Sequence, residues 1–160
     1  MSGAGETDTN GADNGMPGNQ PRVQVVGQYV KDLSFENPGA PHALSQRPQV
    51  DFGVDLMARP MDATHYEVEL KMRANATLDG KPVFLLELIY GGLFRLENMP
   101  EELIQQVLLI EAPHILFPFA RRIIADVVRD GGMPPMMIEP IDFAALFRAK
   151  MAEAQVRQSN

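Results

Sequence analysis

The chain has no cysteine and no tryptophan. Without cysteine there are no disulfides, no thiol nucleophile and no thiolate metal site. A basic excess is lacking too. Lys and Arg number 14 against 21 Asp and Glu, a formal net charge of −7. Phosphate binding needs a basic surface, so nucleic acid is disfavoured as the main ligand. The same imbalance favours solubility and partners that carry basic patches. No uninterrupted apolar run reaches the roughly 18 residues that would suggest a membrane span. The N-terminus has neither the basic start nor the apolar run of a secretory signal. Cytoplasm is the location these features lead us to expect. His42, His65 and His114 are far apart and show no HxxH or HExxH spacing. GxSxG, Walker and GxGxxG patterns are missing as well, so metal, acyl and nucleotide chemistry have no local support. Nothing in the sequence demands an enzyme.

What is present fits one domain. Residues 1–21 are polar, acidic and glycine-rich. They bury too little apolar area to offset chain entropy and are expected to form a disordered tail. The folded domain is expected over 22–152, with a flexible C-terminal tail over 153–160. Strand-like residues run from Val23 to Lys31, followed by a loop-forming stretch, ENPGAPHALSQRP. Val50, Phe52, Val54 and Leu56 alternate with polar residues as in a half-buried strand. The longest alternation runs from Tyr66 to Leu78 and predicts one dry and one wet face. Asp79-Gly80 suits a two-residue hairpin turn. The returning strand, Pro82 to about Leu96, has apolar residues on both faces apart from Glu87. Gly91-Gly92 reads as a bulge or bend.

The period then becomes helical. Pro100, Glu101 and Glu102 suit a helix start. Apolar doublets recur at a spacing of four as far as Val127/Val128, with Pro113 and Pro118 implying a kink or break. This helix is apolar on more than one side, which calls for cover on more than one side. A second protomer would supply it. Asp142 is a plausible N-cap for a last helix. Four strands followed by two helices predict an α+β protein with an antiparallel sheet. The acid pairs Asp51/Asp55 and Glu67/Glu69 fall at strand spacing and read as solvated faces. Leu85 and Ile89 flank Glu87 on a face that should be wet, and the Met133–Ile138 loop has no element of its own to pack against. Exposed apolar ground of this kind marks interaction surfaces, and methionine adapts to varied shapes.

Four segments, YVKDLSFENPGAPH (29–42), GGLF (91–94), APHILFPFAR (112–121) and PIDFAALF (140–147), resemble SecB, the bacterial protein-export chaperone family. They occur in the family's order over roughly residues 22–150. The resemblance implies a cytosolic homotetramer, a dimer of dimers, that holds unfolded precursor proteins without ATP and passes them to the SecA translocase. It implies no cofactor, no nucleic acid and no insertion into the membrane, and any zinc belongs to the partner's basic tail. By position it assigns SecA docking to Asp32, Glu36, Leu85 and Glu87. It assigns a client-binding groove to Leu44, Val50, Phe52, Phe84, Leu86, Phe94, Met133, Met137, Ile138 and Ile141. Family members often carry a tryptophan near Gln46-Arg47, so here the groove is expected to lean on Phe52 and the methionines. Two other readings stand beside this one. An acidic adaptor would bind one folded partner. A small-molecule enzyme would need a site in the sheet–helix groove, which no nucleophile or metal constellation supports.

Overall fold

In the computed structural model, which describes residues 18–160, four antiparallel strands form one sheet in the order β1-β4-β3-β2. They are β1 (Arg22–Glu36), β2 (Gln49–Pro60), β3 (His65–Leu78) and β4 (Lys81–Glu97). Helix α1 (Glu101–Gln106), a π-helical turn (Val107–Glu111) and α2 (Ala112–Asp130) follow without interruption, and α3 (Phe143–Gln158) ends the fold. The α+β architecture expected from the sequence is the one observed. Most of the segment expected as an N-terminal tail lies outside the described residues. At the other end, α3 runs to Gln158, and every residue from Arg148 onward is exposed.

Parity organises the sheet. Even-numbered residues of β3 and β4 face the helices: Val68, Leu70, Met72, Leu86 and Leu88 are fully buried. They meet Leu116, Ala120, Ile124 and Val128, a stripe at helical spacing along α2. Odd-numbered residues form the outer face. The β3–β4 hairpin closes through Asp79 (φ 51°) and Gly80 (φ 77°), the left-handed pair that a two-residue hairpin requires. β1 and β2 lie at opposite edges, so residues 37–48 must cross the whole sheet. Asn37 Nδ2 donates to the Gly131 carbonyl (2.8 Å) and the Gly39 amide to the Val83 carbonyl (2.9 Å), anchoring that crossover.

Three local expectations need correction. First, β1 continues through Glu36 rather than ending near Lys31, because Phe35 pairs with Leu86 and its ring packs 5.9 Å from Phe84. Second, Gly91 and Gly92 form neither a bulge nor a bend, and their pairing with Glu69 and Val68 is continuous. They are glycines for clearance: a Cβ on Gly91 would lie 2.6 Å from the Tyr29 ring, and one on Gly92 2.8 Å from Leu116. The β1–β4 irregularities fall on β1 instead, at Val26 and Lys31. Third, of the kink or break expected from the prolines, the break does not occur, and the irregularity is a π-helical turn. The π-helical turn ends at Glu111, two residues before Pro113, and a widened turn of this kind is where a backbone accommodates a residue that has no N–H to donate. Pro118 sits inside α2, which runs on to Asp130.

By length and composition alone, the run from Glu101 to Asp130 could cross a membrane. In this fold one side of it covers the sheet, while Leu103, Ile115 and Phe119 stay exposed on another. α3 is started by Asp142, whose Oδ1 accepts from the Ala145 amide (3.0 Å). It is anchored by Phe143, which has no exposed surface and meets His114 and Phe117 edge-on.

Phe143→Ala is expected to destabilise the fold by about 3–5 kcal/mol in urea unfolding, the usual cost of emptying a buried aromatic site. Gly92→Ala should cost about 1–3 kcal/mol by overpacking, since Phe94 and Leu116 are both fully buried and cannot yield. A Gly92→Ala protein as stable as the original would refute the clearance argument.

Candidate functional site

The outer face carries the four residues assigned to docking. Across its strands Glu36 pairs with Leu85, Ser34 with Glu87, and Asp32 with Ile89. Asp32 and Glu36 are exposed, Leu85 is 37% exposed, and Glu87 is half-exposed. Ser34, Glu36, Leu85 and Glu87 rim one shallow hollow of about 360 Å3 together with Arg73 and Asn75. Asp32 stands one pairing step along the same face. The β1 irregularity at Lys31 lets both Lys31 and Asp32 address this face, two residues of β1 opposite Ile89 alone. Arg73, which the sequence reading did not single out, donates from Nε to Glu87 Oε1 at 2.7 Å.

Beside this patch, where the spacing of Glu67 and Glu69 predicts a solvated face, lies an ion network. Glu67 is only 6% exposed. The Tyr29 hydroxyl and Arg59 donate to its carboxylate, and Lys31 Nζ reaches it at 3.1 Å while also pairing with Glu69. Tyr29 and Lys31 come from β1, Arg59 from β2 and Glu67 from β3, so the contacts extend across the sheet. Period-two alternation correctly puts Glu67 on the outer face. It says nothing about side chains that lean over from both edge strands. Burial by itself would raise the Glu67 carboxyl, but the bonds from Tyr29, Lys31 and Arg59 outweigh it and hold the group at about 2. Burial, then the bond to Glu67, push the Tyr29 phenol up to about 12. Asp51 and Asp55 are exposed, as expected. Burial would raise the Asp55 carboxyl, but bonds from Lys150 Nζ (3.1 Å) and the Leu56 amide leave it lowered.

The ten residues assigned to a client groove do not share one surface. Val50, Phe84 and Met133 converge on a hollow of about 370 Å3 on the helix side, which Val128 and Met136 also line; Val50 is exposed there, whereas Phe84 and Met133 are themselves buried. Gln46, Arg47 and Pro48 stand at its rim. The rim at Gln46-Arg47, where the resemblance leads us to expect a tryptophan in other members, is therefore polar here. Leu44 packs toward Gly132, and Phe52 and Ile141 are half-buried against the core. Leu86 and Phe94 have no exposed surface, and Ile138 is buried. Met137 is 78% exposed. The sequence pattern marks these positions as apolar, but only the packing of α2 and the crossover decides which of them stay accessible. Among the described residues no group of His, Asp and Glu could hold a metal ion. His65 is bound to Asp62, and His114 lies against the Phe143 ring.

The family model described as "Preprotein translocase subunit SecB" matches residues 17–154. The protein-export protein SecB of Azorhizobium caulinodans is 49% identical over 152 residues, covering 91% of this chain and 95% of that protein. That of Hyphomonas neptunium is 48% identical over 160 residues, covering 96% of each. Among solved structures, the Mycobacterium tuberculosis Rv1957 SecB-like chaperone, in complex with a ChAD peptide from the Rv1956 HigA1 antitoxin, has a similar fold. Its TM-score is 0.64 at 16% identity, covering 75% of this chain and 91% of that one.

A pH dependence follows from Glu67. Its folded-state value of about 2 lies below its ordinary 4.5. The stabilisation is therefore complete above about 4.5 and is lost as pH falls through about 2. Urea unfolding measured across that range should show stability falling with pH, and Glu67→Gln should flatten that slope. An unchanged slope in the variant would mean that the network does not hold the carboxylate.

Proposed function

Because the chain belongs to the SecB family and serves as a chaperone in protein export, we propose that it is an ATP-independent cytosolic holdase that delivers unfolded precursors to the SecA translocase. Asp32, Glu36, Leu85 and Glu87 dock the motor's basic tail. Clients bind on the helix side, where the open hollow at Val50, Phe84 and Met133 is the best-formed part of the groove. Leu44, Phe52, Met137 and Ile141 extend it, Leu86 and Ile138 form the floor beneath, and Phe94 lies buried toward the other end of β4. The protomers assemble as a tetramer through the apolar helix surface left over at Leu103, Ile115 and Phe119. The reading assigns the chain no reaction of its own, and among the described residues no group of His, Asp and Glu could hold a metal ion.

The observation that carries this reading is that one sheet separates two unlike surfaces. The outer face presents acids around a half-exposed leucine, and the helix side presents a methionine-lined apolar hollow. Burying about 1,000 Å2 of client would yield about 25 kcal/mol gross, most of it consumed by ordering. The remainder suits reversible capture, and no nucleotide is needed for release when a second protein can take over the client.

Two outcomes are expected. At near-stoichiometric amounts the protein should slow refolding of several unrelated denatured precursors, with native mass reporting the assembly and its bound client. Refolding at the free rate for all of them would end the holdase reading. Reversing Asp32, Glu36 and Glu87 to lysine should weaken SecA binding about tenfold or more, increasingly so at low salt, and leave client capture intact. Equal loss of both activities would refute the separation of surfaces.

A further inference from the structure

The outer face is not uniformly acidic. Reading across the sheet, Asp32 stands beside Ile89, Lys71 and Asp55 in successive strands, and Ser34 beside Glu87, Arg73 and Gly53. Acids on β1 and β4 therefore border a basic row on β3. Adjacent strands are about 5 Å apart, so both signs fall within the footprint of one docked partner. The other charges on the β3 row are already committed: Glu67 and Glu69 pair with Lys31 and Arg59. Arg73 engages Glu87 through Nε alone, and its side chain stays 52% exposed. Lys71 has no ion-pair partner within 4.0 Å among the described residues. On its β2 side Arg73 faces Gly53, which has no side chain to cover it. Lys71 and Arg73 line a second open hollow of about 240 Å3 with Gly53 and Asp55.

We propose that Lys71 and Arg73 are specificity determinants of the docking face: they confine a basic partner to the acids of β1 and β4, and they repel molecules that are merely polycationic. The proposal rests on the docking reading above and adds its repulsive element. Discrimination between partners requires an unfavourable contact with the wrong one as well as a favourable contact with the right one. An acidic patch alone would attract any basic polypeptide. A cation held against Glu87 makes that attraction conditional on where the partner's own charges lie.

The test compares two probes, SecA and polylysine, at one fixed salt concentration. In the double variant Lys71→Gln/Arg73→Gln, polylysine should bind about tenfold tighter, while SecA changes by less than twofold or weakens. Polylysine binding that does not tighten, or a gain of the same factor for both probes, overturns the proposal. The charge-retaining pair Lys71→Arg/Arg73→Lys should keep the original ratio of affinities, and loss of discrimination there would also overturn it. Docking itself is checked separately with Asp32→Asn/Glu36→Gln/Glu87→Gln. SecA binding that survives this triple variant overturns the docking reading and this proposal together. SecA binding that falls there, with no change of selectivity in the double variant, overturns this proposal alone.

Discussion

β3 and β4 pair along nearly their whole length, and successive side chains alternate between two faces. Every other feature of the molecule depends on that parity. Even positions are taken by the core, which leaves the odd positions of the same strands for solvent and partners. A slip of β3 by one residue against β4 would place Glu67 and Glu69 under α2 and Leu70 and Met72 in water. The hydrophobic stripe of α2 and the two left-handed residues of the hairpin both hold the register against that slip.

The buried carboxylate shows how the outer face stays flat and open without a covering layer. Desolvating Glu67 is unfavourable, yet donors from both edge strands reach it, and paired charges tolerate burial where single ones do not. For Tyr29 to reach Glu67 it must cross β4, and it crosses at Gly91, where no Cβ obstructs the ring. The glycine, the β1 irregularity and the ion network are thus parts of one arrangement. It ties the edge strands to the sheet through side chains and leaves the acidic end, around Asp32 and Glu36, free of internal partners other than Arg73 on Glu87.

What the sequence revealed was what local chemistry decides. The alternation of residues 66–78, the Asp79-Gly80 turn, the Asp142 cap and the order of strands and helices all follow from neighbours within a few positions. Long-range contacts settled the rest. β1 extends to Glu36 because β4 pairs with it, and the prolines stay inside a helix because a π-helical turn and the sheet beneath support them. Glu67 is buried by residues 36 and 38 positions before it and by one 8 positions before it. The candidate docking residues came from the resemblance, and only the shared face of 85 and 87 was legible by period alone. The groove residues were only partly so: hydrophobicity identifies Phe84, Leu86 and Phe94 alike, and which of them borders a hollow depends on where the crossover and α2 come to rest.

Placing the two candidate surfaces on opposite sides of one sheet has a physical consequence for hand-over. In the proposed reading neither surface overlaps the other, so a client on the helix side would not compete for the acids on the outer side, and a ternary complex could form before anything is released. Coupling between them has to pass through the sheet. β4 is the shortest route, because it carries Leu85 and Glu87 outward and Phe84 and Leu86 inward on consecutive residues. A partner that pulls on Glu87 acts on the same strand segment that floors the client hollow. Close packing around Leu86, which has no exposed surface, makes that segment stiff, and a stiff strand transmits displacement rather than absorbing it. In the proposed chaperone, docking and capture are therefore separate in binding but mechanically adjacent, which is the arrangement a carrier without an energy source needs if its receiver is to take part in release.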